Sequence, residues 1–231
     1  MRTTYVLSIA IFIGEMCSCF FVARQAASQL EAHRIANKQP EVANRESRSS
    51  ENFQIHAGWQ PLFNGRDLNG WYTFLQEHGR DADPDHIVSI DNGVIHLYRD
   101  TTNGSRVVQG YIATEKEYGN YHLRLQYRWG EKKFEPRAAM PRDAGIYYHM
   151  VGKDAVWPMG LQCQIQEGNT GDLLALYGLQ MDSWVNPATK DDKSRTFQDK
   201  KLDGLPVVFG GSGTAYQTRS VMNELAGWNT L

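Results

Sequence analysis

Three glutamines, Gln162, Gln164 and Gln166, stand at alternate positions in the stretch GLQCQIQEG (160–168). Alternate residues of an extended strand share a face. The three amides would therefore line one side, with Leu161, Cys163, Ile165 and Glu167 on the other. AGIYYHMV (144–151) has the same period, with Tyr147, His149 and Val151 opposite Ile146, Tyr148 and Met150. In YHLRLQYRW (121–129), Tyr121, Leu123, Leu125, Tyr127 and Trp129 alternate with His122, Arg124, Gln126 and Arg128. If these three strands are neighbours, Gln126 and Arg128 lie beside Tyr147 and His149, and these beside the glutamines. A wetted sheet face usually carries Lys, Glu and Thr. Amides, a phenol, an imidazole and a guanidinium instead form directional hydrogen bonds, often in pairs. That chemistry suits a hydroxyl-rich ligand. The same pattern also fits a solvent-facing sheet side or a buried amide network.

The elements that must carry these residues are short and β-rich. IVSIDNGVIHLY (87–98) reads as a hairpin around Asp91-Asn92-Gly93. YIATEKEYGNYHLRLQYRW (111–129) reads as a second pair of strands turning near Tyr118-Gly119-Asn120. Asn64-Gly65 and Asn69-Gly70 are strong turn signals. Sustained 3.6-residue periodicity is confined to the first residues. Glycine (21 residues) and aromatics (11%) are abundant, as turn-rich sheets require. The expected class is all-β, a sandwich or jelly roll.

With 231 residues and 22% charged side chains, the chain is long enough to bury a core and too apolar for wholesale disorder. A formal net charge of −2 gives no electrostatic case for nucleic acid. Residues 1–28 open with Arg2 and an apolar run from Tyr5 to Ala23, broken by Glu15, with Ala23, Ala26 and Ala27 as small residues for cleavage. This reads as a secretory signal peptide. The run is short for a crossing and a mid-span carboxylate is costly in lipid, so no stable membrane span is expected after cleavage. Residues 29–56 are polar and read as a linker that supplies reach. The protein is expected to be exported to the periplasm or beyond, with a membrane tether as the competing outcome. Cys163, alone outside the leader, is expected to be a structural thiol.

Phe63-Asn64-Gly65-Arg66-Asp67-Leu68-Asn69-Gly70-Trp71 resembles the opening signature of the 3-keto-disaccharide hydrolase domain family. GVIHL (93–97), YGNYHLRLQYRW (118–129), RDAGIYYHMVG (142–152), WPMGLQCQIQEGNTGDL (157–173) and GWNTL (227–231) are similar to later segments of that family, in family order. The resemblance spans residues 57–231. It implies a concanavalin A-like jelly-roll sandwich of two curved antiparallel sheets, preceded by the signal peptide and linker. It further implies an exported bacterial enzyme acting on 3-keto sugars, with a divalent metal ion as the cofactor to test for. Two departures stand out. Gln162 replaces a common family glutamate and cannot act as a base, and Ala144 stands where serine is common. Family members also continue beyond the Trp-Asn motif, so the sandwich is expected to lack its last strands and to leave a sheet edge unpaired.

A 3-keto group acidifies the neighbouring C2 proton of a sugar. A base removes that proton, the glycosidic oxygen leaves C1, and water adds. Such a site needs a base, a group that stabilises the enolate and an acid. The resemblance and residue types put His149, Glu167 and Tyr147 in catalytic roles, with His149 and Glu167 doubling as metal ligands. Gln164, Gln162, Arg128, Lys133, Arg137 and Trp157 are candidates for binding the carbohydrate. Alternation sets Glu167 opposite Gln164, so both serve one site only if the strand ends or bulges near Gly168. A non-catalytic glycan-binding module is the main alternative, favoured by Gln162. A tethered scaffold is the third. Trp71 is expected in the core.

Overall fold

The computed structural model describes residues 8–13, 19–26, 59–192, 194–210, 214–218 and 224–231, with backbone alone at 8–13, 19–26, 194 and 214–218. In chain order the strands are β1 (Ser8–Ile13), β2 (Cys19–Ala26), β3 (Trp59–Pro61), β4 (Trp71–Leu75), β5 (Gly79–Arg80) and β6 (Val88–Asp91). Then follow β7 (Val94–Leu97), β8 (Gly110–Thr114), β9 (His122–Trp129), β10 (Asp143–Val151), β11 (Met159–Gln166) and β12 (Leu173–Leu176). The last are β13 (Gln180–Val185), β14 (Ser194–Thr196), β15 (Leu205–Gly210), β16 (Thr214–Thr218) and β17 (Asn229–Thr230). Helix is limited, among the described residues, to two 3-10 turns at Pro187–Thr189 and Lys200–Leu202.

Two large sheets stack face to face in an all-β jelly-roll sandwich. The larger runs β14-β16-β12-β11-β10-β1-β8-β4-β5, and the smaller β17-β9-β2-β7-β6, with β3 beside β2. Pairing is antiparallel except between β14 and β16. The core between the sheets contains Leu75, Ile95, Leu97, Ile112, Leu125, Tyr127, Ala144, Ile146 and Ile165. A ribbon of β13 and β15 covers one end, where Phe209 packs on Leu161, Leu173 and Ala175. The expected hairpin at 87–98 is present as β6 and β7, and its turn places Asn92 and Gly93 at φ 50° and 77°. Both angles lie in the left-handed region that Asn and Gly tolerate best.

Two expectations need correction. The strands at 111–114 and 122–129 do not form a pair. β8 lies in the large sheet and β9 in the small one. β9 is consequently no neighbour of β10. Its apolar side, Tyr121 to Trp129, faces the core as expected, so His122 and Arg128 point outward into solvent. β1 and β2 lie inside the sheets, β1 between β10 and β8 and β2 between β9 and β7. The linker at 29–56 lies outside the described residues.

The opening signature is a folding element. The Asn64 side-chain oxygen accepts from the backbone amides of Arg66 (2.8 Å) and Asp67 (3.0 Å), and Asp67 accepts from the Asn69 amide (2.9 Å). This Asx-type geometry turns the chain by local side-chain bonds. It delivers Trp71 into the core at 5% exposure, with its indole N–H donating to the Leu62 carbonyl at 2.8 Å. Trp71→Phe should therefore cost about 1–3 kcal/mol, because the Leu62 carbonyl loses its donor in a part-buried setting. Urea unfolding of the full chain measures this.

Candidate functional site

On the side of the large sheet away from the core, β10 and β11 place one polar row. Their register sets Asp143 opposite Gln166, Gly145 opposite Gln164 and Tyr147 opposite Gln162. Cross-strand pairs of this kind bring side chains on one face within about 5 Å. The Gln162 amide donates to the Gln164 side-chain oxygen. Gln164 Nε2 donates to Asp143 Oδ1 at 2.7 Å, and Gln166 Nε2 donates to Asp143 Oδ2 at 3.3 Å. Arg137 Nη1 donates to the same Oδ2 at 3.2 Å. The row is thus a directed chain of donors ending on one carboxylate.

Gly145 makes the row possible. A Cβ there would stand 2.3 Å from Gln162 Nε2 and 2.7 Å from its Cγ. Only hydrogen leaves space for Gln162 to lie across β10. The row is also sealed, with Gln162 2% and Gln164 5% exposed and Tyr147 fully buried. In that setting Gln162 Oε1 has no hydrogen-bond partner among the described residues. A buried acceptor without a donor costs about 1–3 kcal/mol. A ligand hydroxyl would satisfy it.

Burial pushes the Asp143 carboxyl above its ordinary value, while Arg137 and the Gln166 bond pull the other way. Removal from water disfavours the charged form, and the nearby guanidinium only partly restores it. Burial also raises the Tyr147 phenol, with Tyr177 and Asp143 adding to the shift. Tyr147 is therefore a neutral hydroxyl at any physiological pH.

Beyond Asp143 lies a cationic group. Arg142 Nη1 and Lys133 Nζ stand 3.2 and 3.7 Å from Glu167, and the Arg142 amide donates to Glu167 Oε2 at 3.1 Å. Lys133 also donates to the Met140 carbonyl at 2.9 Å, and Met140 Sδ accepts from Arg137 Nε at 3.2 Å. Lys133, Arg137, Arg142, Asp143 and Glu167 therefore form one cluster. Glu167 reaches it because β11 ends at Gln166, and alternation with it, as the turn beginning at Gly168 required.

Of the residues singled out from sequence, Tyr147, Gln162, Gln164, Glu167, Lys133 and Arg137 come together. Three others stand elsewhere. Arg128, on the outer face of the small sheet, stacks its guanidinium 5.3 Å from the Trp228 ring. His149 leaves the row because β10 bulges between Tyr148 and Val151. Its φ is 57°, so the extra residue reverses the expected alternation and Met150 joins Tyr147 instead. The imidazole packs against Tyr121 and Tyr148, with ring centroids 6.3 and 5.5 Å away. Burial pushes it below its ordinary value, towards the neutral form. Trp157 sits exposed in the β10–β11 connection.

His149 and Glu167 lie seven strand residues apart along β10, since Glu167 adjoins Arg142, the residue before Asp143. At about 3.3 Å per residue that is about 23 Å, too far to share an ion. Among the described residues no three His, Cys, Asp or Glu side chains gather. Asp143 itself is ringed by N–H donors, which satisfy an anion and repel a cation. The described residues of this cluster do not fit a divalent metal.

Sequence reasoning missed Asp143. Its signal was the spacing Asp143, Gly145, Tyr147, which continues the Tyr147 face towards the glutamines. It also missed Asp154, which accepts hydrogen bonds from Tyr72 and Tyr111 at 2.9 and 2.6 Å.

The chain is thus a jelly-roll sandwich whose large sheet carries a row of amides ending on a largely buried carboxylate. The family described as the 3-keto-alpha-glucoside-1,2-lyase-like domain matches residues 58–230, and the chain belongs to that family. Membership ties the chain to carbohydrate. No curated protein matches the chain, and no solved structure does. Among the described residues no helix is long and apolar enough to cross a membrane.

The role of Gly145 is testable. Gly145→Ala should destabilise the fold by about 1–3 kcal/mol through overpacking. Combined with Gln162→Ala, which removes the obstructing side chain, it should cost clearly less than the sum of the two, by about 1 kcal/mol or more in a urea double-mutant cycle.

Proposed function

We propose that the protein is a carbohydrate-active enzyme that cleaves 3-keto-glycosides by proton abstraction at C2, elimination at C1 and hydration. The observation that carries this reading is the polar row in which Gln164 and Gln166 donate to Asp143 and Gln162 donates to Gln164, leaving Gln162 Oε1 for a hydroxyl. A base works best with its pKa drawn towards the operating pH, and burial moves Asp143 in that direction. Asp143 takes the C2 proton in this scheme. Arg137 lies against Asp143, and Lys133 joins the same cluster. Their charges would stabilise the enolate, and Lys133 can protonate the departing oxygen, which arginine cannot. Water then adds its oxygen to C1 and gives a proton back to Lys133, and Asp143 returns its proton to C2. Tyr147 lies four residues along β10 from Asp143, about 13 Å of strand. It suits the second sugar ring better than proton transfer at the first. No step is routed through a metal.

The apolar opening of the chain supports export, to the periplasm or beyond. A glycan-binding module without turnover is the other reading, favoured by Gln162 at a position where the family carries a glutamate.

Incubation with a 3-keto-disaccharide, followed by product analysis, tests the proposal. Wild type should release the two sugars, and Asp143→Asn should lose activity by about 10²-fold or more while still binding. Binding without turnover by wild type would support the lectin-like reading instead. The pH dependence has a definite sign. Asp143 must be ionised to act, so kcat/KM should fall as pH drops through its raised pKa. Arg137→Ala removes the cation that lowers this pKa, so the acid limb should move to higher pH.

A further inference from the structure

We infer that Asp154 is a latch holding the 152–158 connection as a lid over the Tyr147–Gln162 end of the polar row. The inference rests on the reading of that row as a sugar site. The connection leaves β10 at Val151 and enters β11 at Met159, two strands that are hydrogen-bonded neighbours. Asp154 nevertheless reaches Tyr72 of β4 and Tyr111 of β8. Strand order places β4 three positions from β10. At about 4.8 Å per strand that is about 14 Å across the sheet. The loop therefore crosses the face that carries Tyr72, Tyr111 and Tyr147, which share one packed cluster.

The tie is polar and concentrated on one side chain. Asp154 Oδ1 accepts from Tyr111 (2.6 Å) and Tyr72 (2.9 Å), and Oδ2 stands 3.4 Å from Arg80 Nη1. The Arg80 guanidinium lies 3.5 Å from the Tyr72 ring centroid, closing the outer side of the clasp. Gly152, Lys153, Ala155 and Trp157 are exposed, so the outer surface of the loop is in water. Gly152 has φ 92°, a conformation open to glycine and strained for other residues.

A sealed site needs a way in. Tyr147 is fully buried and Gln162 is 2% exposed, so no sugar ring can reach Gln162 Oε1 in this arrangement. The opposite end of the row is less enclosed, since Asp143 is 16% and Arg137 28% exposed at the side chain. The first ring can meet Asp143 from there. Placing a second ring against Tyr147 and Gln162 requires the roof to lift. Releasing Asp154 leaves two phenols and a guanidinium free to hydrogen bond with water or with sugar hydroxyls, which lowers the cost of opening.

Hydrogen exchange on the full chain, read by mass spectrometry without ligand, tests the latch. Asp154→Ala should speed exchange across residues 152–158 by about tenfold or more while β10 and β11 keep wild-type protection. The Tyr72→Phe, Tyr111→Phe double variant, which keeps Asp154, should act in the same direction and carries the test if Asp154→Ala does not fold. Unchanged exchange in the loop would overturn the latch. A uniform rise through all strands would overturn it too, by making Asp154 a clamp of the whole sandwich. Because no sugar is present, this outcome is independent of whether 3-keto-disaccharides are cleaved.

Discussion

A carboxylate removed from water must be compensated, and the arrangement of β10 and β11 meets that requirement at Asp143. One guanidinium and two side-chain amides supply the compensation. Each donor has its own structural demand. Gln164 and Gln166 must share a face, which fixes β11 as an extended strand. They must also face Asp143, which fixes the antiparallel register with β10. Gln162 extends the line only because Gly145 offers no Cβ. Shifting the register by one residue would send all of these groups into the apolar core and leave the carboxylate buried without partners.

The strands were largely legible in the sequence, because alternation is a strong signal where one face is buried. Leu125, Tyr127, Ile146 and Ile165 all lie in the core as their spacing requires. The hairpin at Asn92-Gly93 was legible because its turn needs residues that accept positive φ. Partnership was less so. Nothing in YIATEKEYGNYHLRLQYRW signals that β8 and β9 join different sheets, since periodicity describes faces and not neighbours. The apolar run near the N-terminus was ambiguous for a related reason. Short runs apolar on all sides suit a leader, a buried helix or a strand inside a sheet.

The site was legible in part. Amide spacing identified Gln162, Gln164 and, with the strand end at Gly168, Glu167. Asp143 was passed over because it opens its strand, where a polar residue reads as turn chemistry. Asp154 carried no local signal. Its partners Tyr72 and Tyr111 are 82 and 43 residues away in sequence. His149 was misplaced by strict alternation, which a bulge breaks without announcing itself.

The bulge at His149 has a consequence for how such a site could change. One residue separates the present arrangement from another. Deleting a single position between Tyr148 and Val151 would restore the pleat and shorten β10 by one residue. The imidazole could then turn from the Tyr121 side to the amide side, next to Tyr147. The large sheet thus holds a titratable group one deletion away from its polar face. Length variation within this strand, more than substitution of any one side chain, would add or remove a proton-transfer group there.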